Sequence, residues 1–353
     1  MSHRHRVRLA LLAVIAVLAV GCGGDDDDSG SATDTSEASE TTAAPSTTAT
    51  GSEGDTATEA GRYPVTVDTK FGEITITERP ERIVALGWGD AETALVLGAQ
   101  PVGASDWLQF GGEGVGPWAE GLYEEAPEII GTLEPSYEAI AALDPDLILD
   151  VRSSGDQARY DLLSQIAPTI GVPEGGDSYL TSQEQQVTMI AAALGVPDQG
   201  AEQLEAVEQA FADAREEHPD WEGKTVTAAT RTSEGWGAYI EGGGGRVEFL
   251  QNLGFVQSPT IADLPVSDTG FSVDISDEQL DLLDADLIVA FPIFIDASQI
   301  RDDPLFQQVP AVADGRSVVI DGDLSASYSL GTTLATQYAI EALVPRIAEA
   351  LGS

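Results

Sequence analysis

From about residue 63 onward, short apolar runs bounded by turn residues alternate with stretches in which apolar side chains recur every three or four positions. Residues 82–85, 147–150, 225–229, 287–290 and 317–320 read as buried strands. Helical periodicity lies between them. Asp90 is placed to cap a helix ending at Leu97, and Ser182 to cap another over residues 183–194 that stops at Gly195. Residues 330–351 form a long amphipathic stretch, and residues 201–217 place Leu204, Val207, Phe211 and Ala214 on one stripe, with glutamates on the other faces. Strands alternating with helices predict an α/β fold with mostly parallel sheets. Some 290 residues are too many for one small domain and fit two Rossmann-like lobes, residues 63–197 and 221–353, joined by a single long helix over 198–220.

An internal repeat supports the two lobes. A shift of 140 positions aligns residues 136–149 with residues 276–289 without a gap, and half of the columns are identical. In each copy a serine (Ser136, Ser276) precedes a short helix, and a glutamate (Glu138, Glu278) stands in its first turn, where the helix dipole favours an acid. The helix ends at Leu-Asp, and an Asp-Leu-Ile run, Asp146 to Ile148 or Asp286 to Ile288, opens the next strand. A helix ending in Leu-Gly, at Leu97-Gly98 or Leu253-Gly254, precedes each copy.

With the Arg79-Pro80-Glu81-Arg82-Ile83-Val84-Ala85-Leu86 entry to the first strand and the Pro135-Ser136-Tyr137-Glu138 turn, these residues make the chain resemble the ferric-siderophore and cobalamin family of importer binding proteins over residues 63–352. The resemblance implies two lobes bridged by one helix, a ligand held between them, and a monomer that delivers it to an ABC permease dimer with its ATPase subunits. It also implies one exposed glutamate per lobe that docks into arginines of the permease. By position these are Glu138 and Glu278. Each taken alone is equally a dipole-stabilising acid of a first helical turn.

The N-terminal residues set the expected location. Arg4, Arg6 and Arg8 precede an unbroken apolar run over residues 9–20, too short to span a bilayer, and residues 1–21 read as a signal peptide. Leu18-Ala19-Val20-Gly21-Cys22 resembles a lipobox and puts the sole cysteine where a lipoprotein is cut and lipidated. Lipid on Cys22 would anchor the chain to the extracytoplasmic face of the cell membrane. Residues 22–62, nearly all Gly, Asp, Ser, Thr, Ala and Glu with no aromatic residue, cannot build a core and read as a tether.

Composition then removes whole classes of chemistry. With Cys22 used for lipid there is no thiol for a disulfide, a thiolate metal site or a nucleophile. His3 and His5 leave with the signal, and His218, in an exposed-looking Glu-Glu-His-Pro stretch, stands alone, so direct metal ligation and Ser-His-Asp catalysis lack their parts. The run Gly242 to Gly245 is followed by Arg246 rather than a lysine and reads as a turn or cleft rim, not a phosphate loop. No enzymatic activity and no cofactor are expected. Sixty acidic residues against 16 basic give a formal net charge of -44, which disfavours nucleic acid. An anionic ligand would meet a repulsive surface unless arginines in the cleft reverse the field locally. That balance leans the expected chelate toward neutral or cationic ferric hydroxamates over anionic tris-catecholates.

Ligands of two-lobed α/β proteins sit beyond the carboxyl ends of the parallel strands. The candidates there are Trp88, Arg152, Arg231 and Phe291, each just after a strand, with Trp107, Trp236 and Tyr239 in nearby loops. A ferric siderophore arrives with its iron already wrapped in oxygen ligands, so aromatic faces and a few arginines suit it better than metal ligands. A salt bridge is the plain alternative for each arginine, and ordinary packing for each aromatic. Heme or cobalamin remains open as cargo of the same fold, with Tyr137, Tyr239 or Tyr328 as the available axial ligands for heme. A cell-surface sensor lipoprotein that transports nothing is a further alternative.

Overall fold

The computed structural model describes residues 63–131 and 133–353. The expected signal peptide, Cys22 and the tether lie outside the described residues. Among the described residues no helix is long and apolar enough to cross a membrane.

Two sheets organise the chain. A small hairpin, β1 (Val65–Thr69) with β2 (Gly72–Ile76), precedes a five-stranded sheet of order β5-β4-β3-β6-β7. Its members are β3 (Ile83–Ala85), β4 (Gly103–Ser105), β5 (Glu128–Ile130), β6 (Leu147–Leu149) and β7 (Thr169–Ile170), and every pairing is parallel. The second sheet has the path β11-β9-β8-β12-β13, from β8 (Thr225–Arg231), β9 (Trp236–Tyr239), β11 (Ser272–Ile275), β12 (Leu287–Pro292) and β13 (Ser317–Val319), with β10 (Val256–Gln257) beside β8. Here β8, β10, β12 and β13 pair in parallel, whereas β9 runs antiparallel to β8 and to β11. The reversal is local: the amide of Thr232 donates to the carbonyl of Gly235, closing a turn too short for a crossover. Trp236 and Tyr239, expected in loops, therefore begin and end a strand.

The repeat has a structural meaning beyond patterning. The Asp146 carboxylate accepts from the amides of Glu81 and Arg82. At the equivalent position the Asp286 carboxylate accepts from the amide and hydroxyl of Thr225. Each aspartate thus holds the first turn of the neighbouring strand in register at the central pair of its sheet, β3–β6 or β8–β12. Leu97-Gly98 and Leu253-Gly254 also match, because α1 (Asp90–Val96) and the later helix α6 (Arg246–Asn252) both end with a glycine at positive φ, 80° and 101°.

The copies differ where the docking candidates sit. In α2 (Tyr137–Ala142) the Ser136 hydroxyl accepts from the Ala139 amide, as a helix cap should. In the second copy the Ser276 hydroxyl donates to the Gln279 side chain instead, and residues 277–283 form a kinked 3-10 helix. Alanines at 139, 141 and 142 favour the α-helix in the first copy, while Asp277, Glu278 and Asp281 crowd one short turn in the second.

Between β6 and β7 lies α3 (Gln157–Leu163), and between the two sheets in sequence come α4 (Gln183–Ala193) and α5 (Pro197–Glu217). Ser182 caps α4 as expected, and the Gln185 side chain returns to the Ser182 amide to complete a capping box. The long helix α5 starts four residues before the periodic stripe because Pro197 occupies its first turn, where a missing amide costs nothing. It buries Val207, Phe211 and Ala214 and packs on α4 and on the C-terminal helix. The C-terminal stretch is one helix, Thr333–Leu351, capped by Thr332, and a separate helix, Gly322–Leu330, ends just before it at Gly331, with φ 65°. His218 is not simply solvated: its ring lies 4.1 Å from that of Trp221, nearly parallel.

Candidate functional site

The carboxyl ends of β3, β4 and β6 bring together residues scattered over some ninety positions. The chain leaving β3 turns through Gly87, where a Cβ would lie 2.3 Å from the Asp90 carboxylate and 2.7 Å from the Arg152 amide, so only glycine fits. Trp88 comes next, its amide donating to the Arg152 carbonyl. Its ring is stacked on both faces, against Trp107 at 4.0 Å and Tyr179 at 3.9 Å, with interplanar angles of 9° and 16°. All three rings are half-buried. The indole N–H of Trp107 is buried without an acceptor. Tyr179 carries no sequence signal, since it stands in a polar Asp-Ser-Tyr loop, at φ 65°.

Asp90 does not cap its helix; Gly89, at φ 80°, precedes α1 and no side chain caps it. The Asp90 carboxylate instead accepts from the Val151 amide at 2.8 Å and the Gln186 side chain at 2.6 Å. Burial pushes its carboxyl up to about 6, against those hydrogen bonds and with a push from Asp150. The folded value exceeds the unfolded 3.8, so between about pH 4 and 6 the folded chain holds a proton that the unfolded chain has lost. This contribution to stability is present below that window and lost as pH rises through it, worth on the order of 3 kcal/mol. Denaturant titrations at about pH 4.5 and 7.5 should show the wild type losing more stability across the window than Asp90→Asn. Parallel profiles would assign the effect elsewhere.

Arg152, just past β6, is buried and reaches across to the second lobe. Its guanidinium donates to the carbonyls of Leu330 (2.7 Å), Gly244 (3.3 Å) and Tyr179 (3.3 Å). Desolvation first, then the nearby Arg246, lower its pKa to about 10, with Asp90 opposing. Arg152, Thr181, Gly244, Gly245, Tyr328 and Gly331 are among the lining of a cavity of about 440 Å³. The glycine run is therefore part of a rim.

The second lobe treats its candidates differently. Arg231, the last residue of β8, is held by Asp303 at 2.9 Å with Asp277 at 4.0 Å, and lies 5.0 Å over Trp236. Trp236 is buried, stacks on Phe306 at 4.8 Å and donates to Asp303. Phe291 is fully buried in β12, between Tyr239 and Tyr328 at 5.5 and 5.6 Å. Arg246, not among the residues picked out by the sequence pattern, sits 4.3 Å over Tyr239 and 5.4 Å over Phe291, buried, with its Nε unpartnered. Its one sequence signal is a lone basic residue after four glycines. Glu138 and Glu278 are both exposed, one per lobe.

A model of the periplasmic binding protein family matches residues 83–324. The chain belongs to this family. As a periplasmic binding protein it is similar to the Bacillus subtilis (strain 168) "Probable siderophore-binding lipoprotein YfiY", 29% identical over 70% of this chain and 76% of that one. The chain spans less than half the length, 42% and 38%, of two other curated relatives that it matches. Among solved structures, a periplasmic solute binding protein from Mycobacterium smegmatis shares 29% identity with a TM-score of 0.72, over 82% of this chain and 99% of that one. Streptococcus pneumoniae TIGR4 PiaA in complex with ferrichrome shares 26% with a TM-score of 0.68, over the same 82% and 99%. This periplasmic binding protein thus has the two-lobe fold that its sequence repeat predicts.

Proposed function

We propose that this chain is the substrate-binding lipoprotein of an ABC importer, which captures a ferric siderophore between its lobes and hands it to the permease. The observation that carries the reading is the half-buried stack of Trp88, Trp107 and Tyr179 beside Arg152 at the strand ends of the first lobe. Aromatic faces and a guanidinium recognise the organic shell of a chelate, and the iron keeps its own ligands. The relatives named for siderophore and ferrichrome binding support it. In this reading residues 63–197 and 221–353 are the two lobes, α5 the bridge, and Cys22 the lipid anchor at the extracytoplasmic face. Glu138 and Glu278 dock on the permease dimer. The binding protein carries out no chemical step and needs no cofactor.

Of the three tyrosines available as an axial ligand for heme, Tyr328 is the one its surroundings disfavour. Its hydroxyl donates to the Arg246 carbonyl at 2.7 Å, and burial drives its pKa far upward, so the phenolate that would ligate ferric heme is penalised. Quenching of tryptophan fluorescence across ferric hydroxamates, ferric catecholates, heme and cobalamin tests the function. A saturable signal is expected with at least one ferric siderophore, and none of comparable affinity with heme or cobalamin. Absence of quenching by every ferric chelate would remove the cleft as a binding site.

A further inference from the structure

Among the described residues Glu92 takes part in no ion pair, yet it is only 3% exposed. It sits on α1 and gathers donors from two distant segments. One oxygen accepts from the Gly116 amide at 3.1 Å. The other accepts from the Trp118 indole at 2.8 Å and from the Thr332 hydroxyl at 2.6 Å, 240 positions along the chain. Burial pushes its carboxyl up, and those hydrogen bonds oppose the shift. A buried acid without a cation adds little stability, because desolvation offsets most of what its hydrogen bonds contribute. What it fixes is one arrangement of the segments that reach it.

Both segments border the aromatic stack. The loop over residues 106–119 carries Trp107, the ring against Trp88, and Trp107 shares with Glu92, Phe110 and Leu330 the wall of a small void of about 10 Å³. Trp118 meets Phe110 edge-on at 5.6 Å and Tyr338 of the C-terminal helix at 5.3 Å. Thr332 caps that helix: its hydroxyl accepts from the Ala335 amide while donating to Glu92. The seam around Thr332 is gripped residue by residue from the first lobe. Arg152 donates to the Leu330 carbonyl at 2.7 Å, Gln183 donates to the Gly331 carbonyl and the Thr336 hydroxyl, both at 2.8 Å, and Glu92 holds Thr332. A Cβ on Gly89, at the start of α1, would lie 2.5 Å from the Thr332 Cγ2, so the two chains meet there with no room between them. Gly331, at φ 65° between two helices, is the point where the chain would bend, and these contacts clamp both of its sides.

Resting on the ferric-siderophore reading, we infer that Glu92 is a positioning residue for cargo binding: it ties the loop that carries Trp107 to the seam at residues 330–332, and so presets the wall between the lobes against which the chelate is seated. Its carboxylate is enclosed by Gly116, Trp118 and Thr332 and is not offered to the cargo. The seam joins the lobes a second time, beside α5. A wall held in place beforehand spares the cargo the cost of ordering it, so the lock contributes to affinity from a distance.

Hydrogen exchange and fluorescence titration of the full mature chain test this, with a ferric trihydroxamate and a ferric tris-catecholate as probes. In Glu92→Gln an amide nitrogen replaces one accepting oxygen. Exchange at residues 106–119 and at 330–336 is expected to rise together by about tenfold, and whichever probe binds the wild type should bind about tenfold more weakly. Trp118→Phe keeps a ring against Tyr338 and removes the indole donor, and its effect should reach the seam at 330–336. Thr332→Val should in turn loosen 106–119, while Thr332→Ser, which keeps the hydroxyl, should exchange as the wild type does. Glu92→Gln combined with Thr332→Val should be no worse than the more severe single variant. Exchange that rises only beside each substituted residue, or a Kd for Glu92→Gln within about twofold of wild type, overturns the inference and leaves the siderophore reading standing. If neither probe binds the wild type, the siderophore reading falls and the exchange arms alone decide the lock. Should Glu92→Gln fail to fold, Trp118→Phe and the contrast between Thr332→Val and Thr332→Ser carry the decision.

Discussion

Replacing Glu138 and Glu278 together by alanine is expected to reduce uptake of the ferric chelate to that of cells lacking the protein, while its Kd in solution changes by less than about twofold. Both side chains are exposed, and among the described residues neither makes a hydrogen bond or an ion pair. Surface substitutions of this kind alter stability by about 0.5 kcal/mol or less, so loss of uptake would not reflect loss of folded protein. The two sites are related by the repeat, and under the proposed docking, with one acid per lobe meeting a two-subunit permease, removing one alone should leave partial uptake. The local geometry adds a point of asymmetry. Glu138 stands on a capped α-helix, whereas Glu278 stands on a kinked 3-10 turn beside Asp277, whose carboxylate is turned toward Arg231. Glu278→Ala is the variant more easily masked by the acid next to it. Uptake assays of the two singles and the double, with surface abundance matched, decide the matter. A double variant that transports normally would return both residues to the role of dipole-stabilising acids.

The sequence made the repeat legible because its residues do the same physical work twice. Asp146 and Asp286 each fasten the start of a neighbouring strand, and the Leu-Gly pairs each end a helix, so selection for one geometry left one pattern. The features that resisted reading were those decided by long-range contact. Gly235-Trp236-Gly237 looks like a loop in one dimension, and pairing with β8 and β11 makes it a strand. Asp90 has the composition of a cap, and its carboxylate is recruited by Val151 and Gln186 from far along the chain.

The candidate aromatics divide on the same ground, and the division has a large measurable consequence. Phe291→Ala is expected to cost about 3–5 kcal/mol of stability, the usual range for emptying a fully buried phenylalanine site. With typical totals of about 5–15 kcal/mol, that leaves a chain only marginally folded at ordinary temperature. Phe291 lies on a central strand against Tyr239 and Tyr328, and Arg246 covers its face, so its ring has no side left for a ligand. Trp107→Ala, in contrast, removes a half-buried outer ring of the stack, with a lost aromatic pair of about 0.5–1.5 kcal/mol, and should weaken the chelate by about tenfold. Thermal denaturation with and without ligand separates the two cases. Phe291→Ala should melt far lower yet, below its transition, bind with near wild-type Kd, while Trp107→Ala should melt near the wild type and gain little from ligand. The reverse pattern would move the binding surface into the second lobe, onto the face that Arg246 now occupies. Ordinary packing would then be the role of the Trp88 stack.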